Sequence, residues 1–176
     1  TKPTVLYSWF IENAAVRQGS GLDGKYFKLD DRYYYVQAFQ FLESGPDVDS
    51  RGYPPGVFPY SPSEEVASLG AIVFDVTGLP DTTTIQEVGR IHAPDTPGGF
   101  HNIFMYKHSD GSVLLFATVE APPDVPHGAN IYDMGRFLDG DPEYGLVGRV
   151  PMPGPRGNPR GPGSAYHDPY VAYDSY

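Results

Sequence analysis

One order of elements occurs twice along this chain, and that most constrains how it folds. Gly70-Ala71-Ile72-Val73-Phe74-Asp75 is matched by Gly128-Ala129-Asn130-Ile131-Tyr132-Asp133, and Val88-Gly89-Arg90-Ile91 by Val147-Gly148-Arg149-Val150. A third match, Gly99-Phe100-His101 with Ala165-Tyr166-His167, comes after each of these pairs of segments. Each segment is a short apolar run bounded by turn residues, the mark of a strand. The stretch Gly98–Thr118 supplies the rest of the unit. Ile103–Tyr106 and Val113–Ala117 are apolar, and Asp110-Gly111 between them favours a tight hairpin. The second run barely alternates, which predicts a strand buried on both faces. Four antiparallel strands in a unit of roughly 40–60 residues predict an all-β chain of propeller-type blades, the alternative being a β-sandwich whose strands happen to look alike.

Taken in order, residues 1–24 read as an N-terminal strand (Thr4–Ile11) and a polar loop. Residues 25–97 read as a first blade with a long insertion at 43–68, and 98–151 as a second blade. Residues 152–176 read as a Pro/Gly-rich linker and the first strand of a third blade, Tyr166–Tyr173. Asp75 and Asp133 close equivalent strands and are predicted to accept N–H bonds from the turns after them. Met134–Leu138 is predicted to make one helical turn closed by Gly140. Two blades plus one strand cannot close a ring, so the expectation is a fragment of a longer chain, or completion by a partner or by copies of itself.

The pattern F-H-N-I…D-G…V-L-L-F…I-Y-D followed by V-G-R resembles the LVIVD-repeat propellers, related to the selenium-binding-protein and methanethiol-oxidase propellers. The resemblance covers roughly residues 20–176 and marks the repeat more than any activity. It implies that His101 and His167 sit just before the innermost strands and face a central channel. Asn102 and Asp168 come next to them as side chains able to orient an imidazole. Histidines converging from several blades would suit copper, iron or zinc. The first unit has Gly24-Lys25 where His-Asn is expected, and two histidines fall short of an ordinary ligand set. The preferred reading of His101 and His167 is therefore structural, and no cofactor is predicted.

Other candidates are weaker. His92, His108 and His127 fall in turns or loops and are expected to be solvated. Asp47-Val48-Asp49-Ser50-Arg51-Gly52 fails as a calcium loop, because Arg51 and Phe58 stand where ligands are needed. Asp139-Gly140-Asp141-Pro142-Glu143 is read as a solvated acidic turn. No G-x-S-x-G, P-loop or G-x-G-x-x-G is present. With no cysteine, disulfides, thiolate metal sites and a cysteine nucleophile are excluded. The formal charge of −10 leaves no basic face for nucleic acid, with Arg149, Arg156 and Arg160 spread through a loop. No apolar run is long enough to span a membrane.

Gly 21 and Pro 19 are about twice usual usage, but Tyr 14 and Phe 10 argue for ordered strands and elaborate loops. Tyr53, Phe58 and Tyr60 in the insertion are read either as a rigid contact surface or as packing under their own loops. Tyr166, Tyr170, Val171 and Tyr173 make an open edge for strand addition. The leading expectation is a non-catalytic interaction or scaffold protein, extracellular or periplasmic, that binds a protein partner or larger assembly, with a homo-oligomer possible. The rivals are a metal-dependent oxidase resembling methanethiol oxidase and a secreted sugar-binding module.

Overall fold

The computed structural model describes residues 3–8, 19–41, 69–93, 99–119, 128–151 and 168–171. These form two four-stranded antiparallel sheets. The first runs β1 (Gly19–Leu29), β2 (Arg32–Phe41), β3 (Leu69–Asp75), β4 (Gln86–His92). The second runs β5 (Phe100–Lys107), β6 (Val113–Val119), β7 (Gly128–Asp133), β8 (Leu146–Pro151), with a short helix α1 (Met134–Leu138) after β7. Strand order follows chain order in both sheets, because each connection is a turn or loop that returns beside the strand just made.

The repeated segments occupy equivalent strands, β3 with β7 and β4 with β8. Their register explains V-G-R. Val73 pairs Gly89 while Phe74 pairs Glu87, and Ile131 pairs Gly148 while Tyr132 pairs Leu146. Val88 and Val147 are thus each the extra residue of a β-bulge, which bends the outer strand. Both strand-closing aspartates act as predicted. Asp75 accepts from the Thr77 amide at 2.9 Å, and Asp133 caps α1 by accepting from Gly135 and Arg136.

One apolar core fills the space between the sheets. Tyr34, Val36, Ala38, Ala71 and Val73 enter it from the first sheet. Val113, Leu115, Ala117, Val119 and Tyr132 enter it from the second. Two glycines of the first sheet leave room for rings of the second. A Cβ on Gly70 would lie 2.4 Å from the Phe100 ring, and one on Gly89 would lie 2.8 Å from that of Phe137. A smaller cluster, Phe39, Leu69, Ile72 and Phe74, lies on the far face of the first sheet, where Tyr7 packs edge-on to Phe74 at 5.9 Å.

The sheets do not meet as mirror partners. Ala38 pairs Ala71, and Thr118 pairs Ala129, so the registers superpose Val36 on Phe116 and Tyr35 on Leu115. The Val36 face of the first sheet is in the core, yet its counterpart, the Phe116 face of the second, points away from it. The Leu115 face of the second sheet is in the core, yet its counterpart, the Tyr35 face of the first, points away. Unlike faces meet, a head-to-tail stacking that does not close on itself after two units.

Several expectations need correction. Pro3–Ser8 is not a strand; Tyr7 lies on a sheet face, where no backbone ladder is on offer. The first sheet begins at Gly19 and not at residue 25, because β2 runs to Phe41 and pairs back as far as Gly19. Asp168–Val171 is not a strand, and Pro169 has no N–H to give a ladder. The strand Val113–Val119 is fully buried on one face only; Leu114 and Phe116 are half-buried. The 43–68 insertion lies outside the described residues.

Candidate functional site

The inner strands carry the predicted site, and bulges place it. Phe100 pairs Val119 and Ile103 pairs Ala117, which leaves one residue too many at His101-Asn102. Gly21 pairs Phe39 and Gly24 pairs Gln37, which leaves one too many at Leu22-Asp23. The counterpart of His101-Asn102 in the first unit is therefore Leu22-Asp23, not Gly24-Lys25. The two-residue error arises because a bulge changes the spacing without changing residue type.

Asp23 links the two inner strands. Its carboxylate accepts from the Ile103 amide of β5 at 3.1 Å, from the Gly24 amide at 2.8 Å and from the Lys25 ammonium at 2.5 Å. Burial pushes this carboxyl up, but Lys25 and the two amides outweigh it and hold the group below the ordinary carboxylate range. Asn102 makes the corresponding link onward, its amide donating to Asp168 at 2.5 Å. The Asn102 backbone is held by Thr118, whose buried hydroxyl accepts from Asn102 N at 3.0 Å and donates to Asn102 O at 3.1 Å. His101 Nδ1 lies 2.8 Å from Gln40 Oε1, within hydrogen-bond distance.

The structure thus brings together Asn102 and Asp168, the residues next to the two candidate histidines. His167, Tyr166, Tyr173, Tyr53, Phe58 and Tyr60 lie outside the described residues. Tyr170 packs on Phe104 at 5.6 Å and is otherwise exposed; Val171 is half-buried. Among the described residues no three His, Cys, Asp or Glu side chains come together as a metal-holding group.

Of the remaining candidates, His127 lies outside the described residues. His92 ends β4, and its ring lies 5.5 Å from that of Tyr144, so it is not a solvated loop residue. His108 is exposed in the β5–β6 turn, where Gly111 alone of the Asp-Gly pair takes a positive φ, 96°. The acidic turn is self-satisfied: Asp141 accepts from Glu143 N at 2.8 Å and from Arg136 Nε at 2.9 Å. Sequence reasoning missed Asp23 and Gln40. Asp23-Gly24 carries a turn signal, and only its place opposite Gln37 shows it to be a bulge.

Asp75 gives a pH dependence. It is buried and paired with Arg32. Burial pushes its carboxyl up, while Thr77 and the Arg32 guanidinium outweigh that and hold it below the ordinary value of 3.8. A depressed carboxyl contributes stability above its unfolded pKa and loses it as pH falls through the folded pKa. Asp75→Asn is expected to cost about 1–3 kcal/mol near neutral pH. It should also flatten the fall in melting temperature below about pH 4. An acid limb as steep as that of the unaltered protein would remove Asp75 as its source.

Among the described residues no helix is long and apolar enough to cross a membrane. Compared with known protein families, curated proteins and solved structures, the chain matches none.

Proposed function

We propose that this chain is a non-catalytic interaction or scaffold protein. It is built from propeller-type blades of the LVIVD kind, acts outside the cytoplasm, and binds a protein partner or larger assembly through its sheet surfaces and aromatic loops. The observation that carries this reading is the head-to-tail stacking. Unlike faces meet between the sheets, so an unlike face lies at each end of the pair, covered among the described residues only in part, by Tyr7 on Phe74 at one and Tyr170 on Phe104 at the other. A head-to-tail interface continues until it closes or is capped. Both end faces present aromatic residues, Tyr26, Tyr33 and Tyr35 at one and Phe104 and Phe116 at the other. Such side chains bury much area at small entropic cost.

Cross-linking in cells that express the protein, followed by mass spectrometry, tests this reading. Adducts mapping to residues of these faces are expected. A chain that migrates only at 19.3 kDa would count against it.

A metal-dependent oxidase resembling methanethiol oxidase is the second reading, with copper, iron or zinc on His101 and His167. The Asn102–Asp168 contact favours it, because it joins the residues flanking both histidines. Metal analysis of the purified protein against the His101→Ala, His167→Ala double variant separates the two. Stoichiometric metal lost in the variant would favour the oxidase.

A further inference from the structure

We infer that the protein stacks head to tail on a second copy of itself. The far face of the first sheet in one copy would pack on the far face of the second sheet in the next. This rests on the interaction reading above and names the partner.

The contact between the sheets within one chain is the precedent. There the face carrying Val36 and Val73 receives the face carrying Leu115 and Tyr132. By register, the far face of the second sheet is the counterpart of the receiving face. It carries Phe104, Leu114, Phe116, Ile131 and Val150, with Asp133 beside Leu114 at one end and Tyr170 of the same chain packed on Phe104. All five are only half-buried or exposed, Val150 at 45%. The far face of the first sheet is the counterpart of the inserting face; its third strand is already covered, with Leu69, Ile72 and Phe74 buried and Tyr7 on Phe74, so the contact falls on β1 and β2. Tyr26, Tyr33 and Tyr35 stand where Met105, Val113 and Leu115 pack against the core. Tyr26 is 77% exposed, and Lys28 lies over the Tyr33 ring at 5.4 Å. The Tyr35 ring lies over Gly24, where any Cβ would meet its hydroxyl at 2.1 Å, and it donates to Gln37 at 2.8 Å.

A notch and its filler also correspond. Gly89 makes room for Phe137, which lies four residues past Asp133. The counterpart of Gly89 is Gly148, whose nearest described neighbour is Ile131 Cδ1 at 3.8 Å from an added Cβ. The residue four past Asp75 is Leu79, which is 40% exposed. In a head-to-tail copy Leu79 takes the place at Gly148 that Phe137 takes at Gly89. Val5 and Leu6, exposed beside Tyr7 on the same side of the first sheet, extend the apolar surface.

Sedimentation velocity over a concentration series tests this with two variants at exposed positions, Tyr26→Lys on one face and Val150→Lys on the other. The unaltered chain should associate with rising concentration. Each variant alone should associate at least about 10-fold more weakly, with an unchanged circular dichroism spectrum. The two variants mixed should form a dimer of twice 19.3 kDa and nothing larger, since each retains one intact and unlike face. An unaltered chain that stays monomeric to its solubility limit would overturn the self-stacking. So would variants that associate normally, or a mixture that stays monomeric, which would mean that the two intact, unlike faces do not bind each other. If the monomeric chain still cross-links to other proteins in cells, the interaction reading stands and only the self-partner fails.

Discussion

Phe100→Ala is expected to lower the unfolding free energy by about 3–5 kcal/mol, read from urea unfolding followed by circular dichroism. The ring is fully buried and lies 5.6 Å from that of Tyr132. It occupies the space over Gly70 of the opposite sheet, so the first sheet has no side chain there to collapse into the cavity. The cost should therefore fall in the upper part of the usual range. A single transition is expected before and after the change, because one core joins both sheets. Two separate transitions in the unaltered protein, or a loss below about 1 kcal/mol in the variant, would mean that the sheets do not share that core.

Gly99→Ala should be nearly as damaging for a different reason. Gly99 sits where the chain enters the second sheet, with φ of 77° and a bridge to Gln40 of β2. A Cβ there would lie 2.2 Å from the Phe39 carbonyl oxygen and 2.8 Å from that of Leu69. Both are backbone atoms, and neither can rotate aside. The left-handed conformation costs an L-residue about 1–2 kcal/mol. Relieving the overlap costs about 1–3 kcal/mol more, so the sum is about 2–5 kcal/mol. Gly111→Ala is the control. Its φ is 96°, but nothing lies within 4 Å of an added Cβ, so only the conformational cost remains. Equal melting temperatures for the two variants would show that the close approach at Gly99 is absent.

The local elements are legible in residue order alone, because their causes are local. Alternation and β-branched content mark the strands, Asp110-Gly111 marks a turn, and the two strand-closing aspartates announce their own hydrogen bonds. Repetition of G-A-x-x-x-D and V-G-R is enough to place β3 with β7 and β4 with β8. The site is legible in part. Asn102 and Asp168 stand out as a related pair beside the two histidines, and they meet. Asp23 is hidden because the bulge that makes it the counterpart of Asn102 leaves no residue-type signal; an inserted residue is visible only against the partner strand.

The tertiary structure alone decided which face of each sheet meets the other. Val113, Leu115 and Ala117 alternate with Leu114, Phe116 and Thr118, and both sets are apolar enough to bury. A period of two separates the faces but does not rank them. The ranking came from fit across the gap, where Phe100 needs the missing Cβ of Gly70 and Phe137 that of Gly89. The same fit left Phe104 and Phe116 on the outside of the second sheet. Strand formation at the chain's two ends was likewise a tertiary matter. Val5–Tyr7 and Tyr170 have strand-forming side chains, but a strand needs a neighbouring backbone edge, and these segments meet side chains, Tyr7 on Phe74 and Tyr170 on Phe104.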